Sequence, residues 1–176
     1  MSSTKDAGSV EHLSSTDAVK KLQELVKDAN VCHFVTNLNE LPLDARPMAT
    51  QDVDDNGNIF FLSGSDSHKN QHIESDPRVQ LFYTNSGGYE YLSIYGTATV
   101  TRDRKLIEEM WTNMAKAWFK EGKDDPNLTV IVVKPEHAYY WDTKSNKVIS
   151  LIKIAASMVS GASMDNGVEG ELNVRR

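Results

Sequence analysis

Arg46-Pro47-Met48 and Ser63-Gly64-Ser65-Asp66-Ser67-His68-Lys69 are the stretches whose side chains could do chemistry, separated by a turn at Asp55-Asn56-Gly57 and the apolar run Ile59-Phe60-Phe61-Leu62. A guanidinium, an ammonium and small hydroxyls hold a phosphate, while backbone groups beside a flat apolar surface hold a ring. A planar ligand with a phosphate tail needs both kinds at once. Ser67 and Lys69 carry the sharper signal, because a hydroxyl and a cation two residues apart on a tight turn suit a group bearing about two negative charges. Taken alone, Lys69 and Arg46 would each read as surface cations. Their setting, after a strand and beside a proline, is what turns them toward a site.

Other reactive patterns are weaker. His68 and His72 stand at i, i+4 and could offer two imidazoles, but no third ligand follows at a recognisable spacing, which points away from a metal. Asp124-Asp125 before Pro126 reads as a solvated loop cap. Cys32 is the single cysteine, so no intrachain disulfide can form, and it reads as buried. There is no Ser-His-Asp or Cys-His arrangement and no paired carboxylates, so any catalysis would be that of a bound cofactor, oriented and tuned by the protein.

These residues need elements to position them. Ala18, Leu22, Leu25 and Ala29 recur at helical spacing, with Ser15, Thr16 or Asp17 as the cap. Residues 31–36 are rich in β-branched and aromatic side chains and predict a strand, followed by a loop at 37–44. Residues 45–53 and 58–63 are expected to pair through the Asp55-Asn56-Gly57 turn. Residues 67–75 predict a short polar helix stopped by Asp76-Pro77, and 78–84 and 89–101 two strands, the second with Gly96 at a bulge or close approach. Leu106, Ile107, Met110, Trp111, Met114 and Trp118 form one helical stripe ending at Gly122, expected to pack in the core or a dimer contact. Strands at 128–134 and 137–142 are separated by Pro135, and 147–154 predicts a last strand. The pattern is mainly β: an antiparallel sheet that must close or be covered, best satisfied by a small barrel with flanking helices.

Composition bounds the rest. The 176 residues make one domain over 14–164, with flexible tails expected at 1–13 and 165–176. A net charge of −6 and pI near 5.3 leave no basic face for nucleic acid, so an anionic ligand must be held by a local cluster. No run is long enough to cross a bilayer and the N-terminus lacks a secretory pattern, so the expected location is cytoplasmic, away from membranes.

In order and spacing, several pieces over residues 30–155 resemble one family. They are Arg46-Pro47-Met48, Phe61-Leu62-Ser63, Ser67-His68-Lys69, Asp76-Pro77-Arg78-Val79, Tyr95-Gly96-Thr97-Ala98, Trp111, Trp118-Phe119, Gly122-Lys123-Asp124-Asp125-Pro126 and Tyr140-Trp141-Asp142. The chain resembles the FMN-binding split barrels related to pyridoxamine 5'-phosphate oxidase, of the bacterial general stress protein 26 type. The resemblance implies a six-stranded antiparallel split barrel that forms a homodimer, with FMN in a groove between subunits. It places Arg46, Pro47 and Met48 along the ring and ribityl chain, Leu62 and Ser63 at the ring's polar edge, Ser67 and Lys69 on the phosphate, and Trp141 over the ring from the partner subunit. The oxidases carry arginine, histidine and arginine downstream of that tryptophan, where this chain has Lys147, Ile149 and Leu151. Oxidation of a pyridoxine phosphate is therefore not expected. Two functions remain open: a flavin-dependent oxidoreductase on a small substrate, with NAD(P)H or another small reductant, and a stress protein that buffers or senses flavin without turnover. The same barrel also admits FAD, a deazaflavin or haem.

Overall fold

A computed structural model describes residues 9–10, 13–143 and 167–173. Two short strands, β1 (Ser9–Val10) and β2 (Leu13–Ser14), lead into helix α1 (Ser15–Ala29). The helix buries Ala18, Leu22 and Leu25 of the predicted stripe together with Val26, packs the half-buried Ala29 against the core, and stops at Asn30, whose φ of 61° is a left-handed conformation that asparagine tolerates. Seven further strands follow: β3 (Val31–Thr36), β4 (Asp44–Ala49), β5 (Asp52–Val53), β6 (Ile59–Gly64), β7 (Arg78–Asn85), β8 (Glu90–Thr101) and β9 (Leu128–Thr143). Helix α2 (His68–Ser75) lies between β6 and β7, and α3 (Arg104–Met110) follows β8.

The strand pairings form a closed circuit. β3 pairs with β7, β7 with β8, β8 with β9, β9 with β6 and β6 with β5, while β4 pairs back to β3 and runs into β5 through Thr50-Gln51, every pair antiparallel. Counted with β4 and β5 as one bent strand, this is the expected six-stranded split barrel, and α1 packs on its core. Phe34 and Phe61 meet edge to face inside it, with ring centroids 5.1 Å apart. A second, smaller cluster gathers Phe60, Ile107, Met110, Phe119, Leu128 and Val130 under α3. Among the described residues no helix is long and apolar enough to cross a membrane.

Four details depart from the sequence reading. The 45–53/58–63 hairpin is mostly absent: only Asp52–Val53 pairs with β6, and β4 pairs with β3 instead, because barrel closure needs β4 on the open edge of β3. Residues 128–143 are one strand. Pro135 is tolerated there because it faces Gly96 at a register shift, where its missing N–H falls on a broken ladder. The stripe of the second helix does not continue. Asp103 caps α3 by accepting from the Leu106 N–H at 2.9 Å, and the helix ends at Met110. A 3-10 turn at Asn113–Ala117 then changes the period, so that Ala115 and Phe119 point inward and Met114 and Trp118 stand 75% and 72% exposed. Last, β10 (Gly167–Asn173), in the stretch expected to be loose, pairs with the end of β9 and buries Leu172. The strand expected at 147–154 lies outside the described residues.

The Asp76-Pro77 stop carries its own titration. Arg78 grips Asp76 through two parallel hydrogen bonds, Nε to Oδ1 at 2.8 Å and Nη2 to Oδ2 at 2.6 Å, and these bonds hold the Asp76 carboxyl down to about 2 from its ordinary 3.8. Because the folded value is the lower one, the pair's contribution is present above about 3.8 and is lost as pH falls through about 2. Carboxyl NMR titration is expected to give a midpoint near 2, returning toward 3.8 in Arg78→Ala.

Candidate functional site

The end of β6 turns sharply into α2, and buried polar groups hold the turn from beneath. Ser63 Oγ donates to Asn70 Oδ1 at 2.7 Å and Ser67 Oγ donates to the same oxygen at 3.1 Å. Asn70 Nδ2 donates to Thr129 Oγ1 at 3.0 Å, and that hydroxyl donates to the Ser63 carbonyl at 2.8 Å. Ser63, Asn70 and Thr129 are all buried and every member is satisfied, the condition under which such a network rigidifies. From the other side Asn127 accepts from Ser65 Oγ at 2.8 Å and from the Asp66 N–H at 3.2 Å through Oδ1, while its carbonyl takes the Ser65 N–H at 2.8 Å.

Arg46 reaches the same region from β4. Its Nη1 donates to Thr36 Oγ1 at 2.7 Å and to the Phe34 carbonyl at 3.4 Å, both on β3, the strand that displaces the expected hairpin partner. Lys69, in the first turn of α2, is half-buried and has no ion-pair or hydrogen-bond partner among the described residues. Burial pushes its ammonium down first, then the nearby Arg46 guanidinium, and the Asp66 carboxylate only partly offsets them. Burial likewise pushes the Arg46 guanidinium down against the charge of Asp44. Two half-buried cations thus feel each other's charge without a full complement of negative charge, a combination that an anion relieves.

The remaining expected residues distribute unevenly. Arg46 and Met48 project to one side of β4, and Met48 packs on the barrel core, whereas Pro47 projects to the opposite, exposed side. Leu62 is half-buried and packs with Trp111 against the smaller cluster. Ser63 and Ser67 are at the turn, but their hydroxyl protons point into the protein, toward Asn70. Trp141 lies twelve residues along β9 from Thr129, at the opposite end of that strand from the turn. His72 is engaged by Thr36, with Nδ1 3.0 Å from Oγ1. Cys32, on β3, is buried in the barrel core, and burial pushes its thiol up to about 12, so it stays protonated. Sequence reasoning missed Thr36, Asn70, Asn127 and Thr129. Only Asn70 had a local signal, the Ser67-x-x-Asn70 spacing of a helix start.

The sequence model of the family described as "Pyridoxamine 5'-phosphate oxidase like" matches residues 17–165. The chain belongs to this family. Among its curated relatives, General stress protein 26 of Bacillus subtilis is 29% identical over 96 residues, covering 53% of this chain and 68% of that protein. Protein bli-3 of Neurospora crassa is 28% identical over 126 residues, covering 66% of this chain, and the chain spans only 60% of its length. A solved structure assigned to general stress protein 26 from Jannaschia sp. CCS1 shares the fold, with a TM-score of 0.75, 21% identity and coverage of 89% of this chain and 98% of the other. The general stress FMN/FAD binding protein of Xanthomonas citri is 26% identical, with a TM-score of 0.62 over 72% of this chain and 92% of its own. The family match takes in every element of the barrel circuit, both cations and the buried network around Asn70.

Proposed function

We propose that the chain binds FMN, with the phosphate between Lys69 and Arg46, and serves as a flavin-dependent oxidoreductase on a small substrate that is not a pyridoxine phosphate. The observation that carries this reading is the pair of half-buried, only partly compensated cations beside the Ser63–Lys69 turn. Family membership and the FMN/FAD binding of the Xanthomonas relative support it. Lys69 and Arg46 would neutralise the phosphate, the Asn70 and Asn127 bonds would keep the turn open to it, and Met48 and Leu62 would offer apolar surface to the ring. When bound, the flavin supplies hydride and electron transfer. Lys147, Ile149 and Leu151 remove donors a phosphorylated vitamin would use and so argue against that substrate, while the second reading is a flavin-binding stress protein without turnover.

A homodimer belongs to the same proposal. Phe82, Tyr91, Tyr139 and Trp141 project from one face of β7, β8 and β9, in registers that set Tyr91 opposite Trp141 and Ser93 between Phe82 and Tyr139. A contiguous aromatic face of this kind is an association surface. A second copy on it would bring Trp141 toward its neighbour's flavin.

The visible spectrum of the purified protein tests the cofactor, and anaerobic addition of NADH or NADPH tests turnover. Flavin bands that bleach are expected. FMN at 100 times its Kd is expected to raise Tm by roughly 5–10 °C, the equivalent of about 2.7 kcal/mol. A Tm indifferent to FMN would count against the cofactor.

A further inference from the structure

We infer that His72 is the positioning residue that holds Arg46 and Lys69 together as one anion site, acting through Thr36. The inference rests on the phosphate reading of that cation pair. Arg46 is on β4 and Lys69 on α2, two elements that share no backbone ladder, and their like charges repel. Something must hold them at one distance. His72 lies three residues after Lys69, on the same face of α2, and its Nδ1 is 3.0 Å from Thr36 Oγ1, the oxygen that also receives the Arg46 guanidinium at 2.7 Å. One buried threonine hydroxyl therefore ties the helix of one cation to the side chain of the other.

Thr36 Oγ1 accepts from Arg46 Nη1 and keeps a second lone pair and its own proton, so it bonds His72 Nδ1 in either tautomer of the imidazole. Asp44 completes the surroundings without a hydrogen bond to either group: its oxygens are 3.9 Å from His72 Nδ1 and 4.0 Å from Arg46 Nη2. The pair His68 and His72 thus divides. His72 is turned inward to a hydroxyl rather than presented with His68 to a metal.

The test is titration of FMN, riboflavin and inorganic phosphate into wild type, His72→Leu, His72→Asn, Thr36→Val and the Thr36→Val/His72→Leu double variant. Riboflavin has the ring without the phosphate, so loss of positioning should separate the two flavins. His72→Leu is expected to raise the FMN Kd about tenfold, the equivalent of one positioning hydrogen bond, with riboflavin changed less than about threefold. His72→Asn, whose amide reaches the place of Nδ1, should restore FMN binding. The double variant should bind FMN no more weakly than Thr36→Val alone, since both substitutions break one chain of contacts. Equal losses for FMN and riboflavin, an asparagine variant as weak as the leucine variant, or losses that multiply in the double variant would each overturn the role. If wild type binds phosphate but neither flavin, the flavin reading falls and the His72 role is read from phosphate alone. Wild type that binds none of the three overturns both.

Discussion

Lys69→Ala is expected to lower the affinity for FMN by about 1.5–3 kcal/mol, roughly ten- to hundredfold, the usual worth of a hydrogen bond to a charged group. The magnitude follows from the setting of this lysine. Its ammonium is half-buried, lacks a partner among the described residues and is pushed down by Arg46, so it meets the ligand with little competition from the protein's own carboxylates. For the same reason the apoprotein should not lose stability. Removing one of two repelling, partly desolvated cations is expected to leave Tm unchanged or slightly higher, while the Tm gain from FMN shrinks. Fluorescence titration gives the affinity and a thermal melt the stability. An unchanged Kd would remove Lys69 from the phosphate site.

Gly96→Ala is expected to destabilise the fold by about 3 kcal/mol, seen as a fall in Tm of roughly 6–12 °C. A β-carbon at this position would lie inside contact distance of the Lys134 carbonyl oxygen and 3.0 Å from both the Lys134 carbonyl carbon and Pro135 Cα. All three are backbone atoms and cannot swing away as a side chain tip would. The strain falls where β8 and β9 change register, so relief would have to slide one strand along the other. A circular dichroism melt measures it, and a Tm within about 2 °C of wild type would mean that the bulge relaxes freely.

The comparison of sequence with structure divides along range of interaction. Helix α1, the Asp76-Pro77 stop and the close approach at Gly96 were legible because helical spacing, proline sterics and the absence of a β-carbon act within a few residues, although α1 begins at Ser15 and takes the expected caps Thr16 and Asp17 into its first turn. The partner of β4 was not. The Asp55-Asn56-Gly57 turn argued for a long hairpin, but closing the barrel hands β4 to β3 and leaves two residues for β6. Met114 and Trp118 mislead for a related reason: their spacing fits a helix that the chain ends at Met110. Within the site, Arg46 and Lys69 stood out by charge and setting. Thr36, Asn70, Asn127 and Thr129 did not, because a neutral polar side chain acquires a role only from its partners. Thr129 is 59 residues from Asn70 and Asn127 is 62 from Ser65.

The polar hub at Asn70 has a thermodynamic consequence for whatever binds above it. Its carbonyl oxygen takes both Ser63 and Ser67 and its amide donates to Thr129, through bonds that need no ligand. In the proposed phosphate site the turn would thus be settled during folding, and association would not have to order it. Such a preorganised cradle would answer to the charge of its guest, with selectivity set by how many negative charges arrive between Lys69 and Arg46.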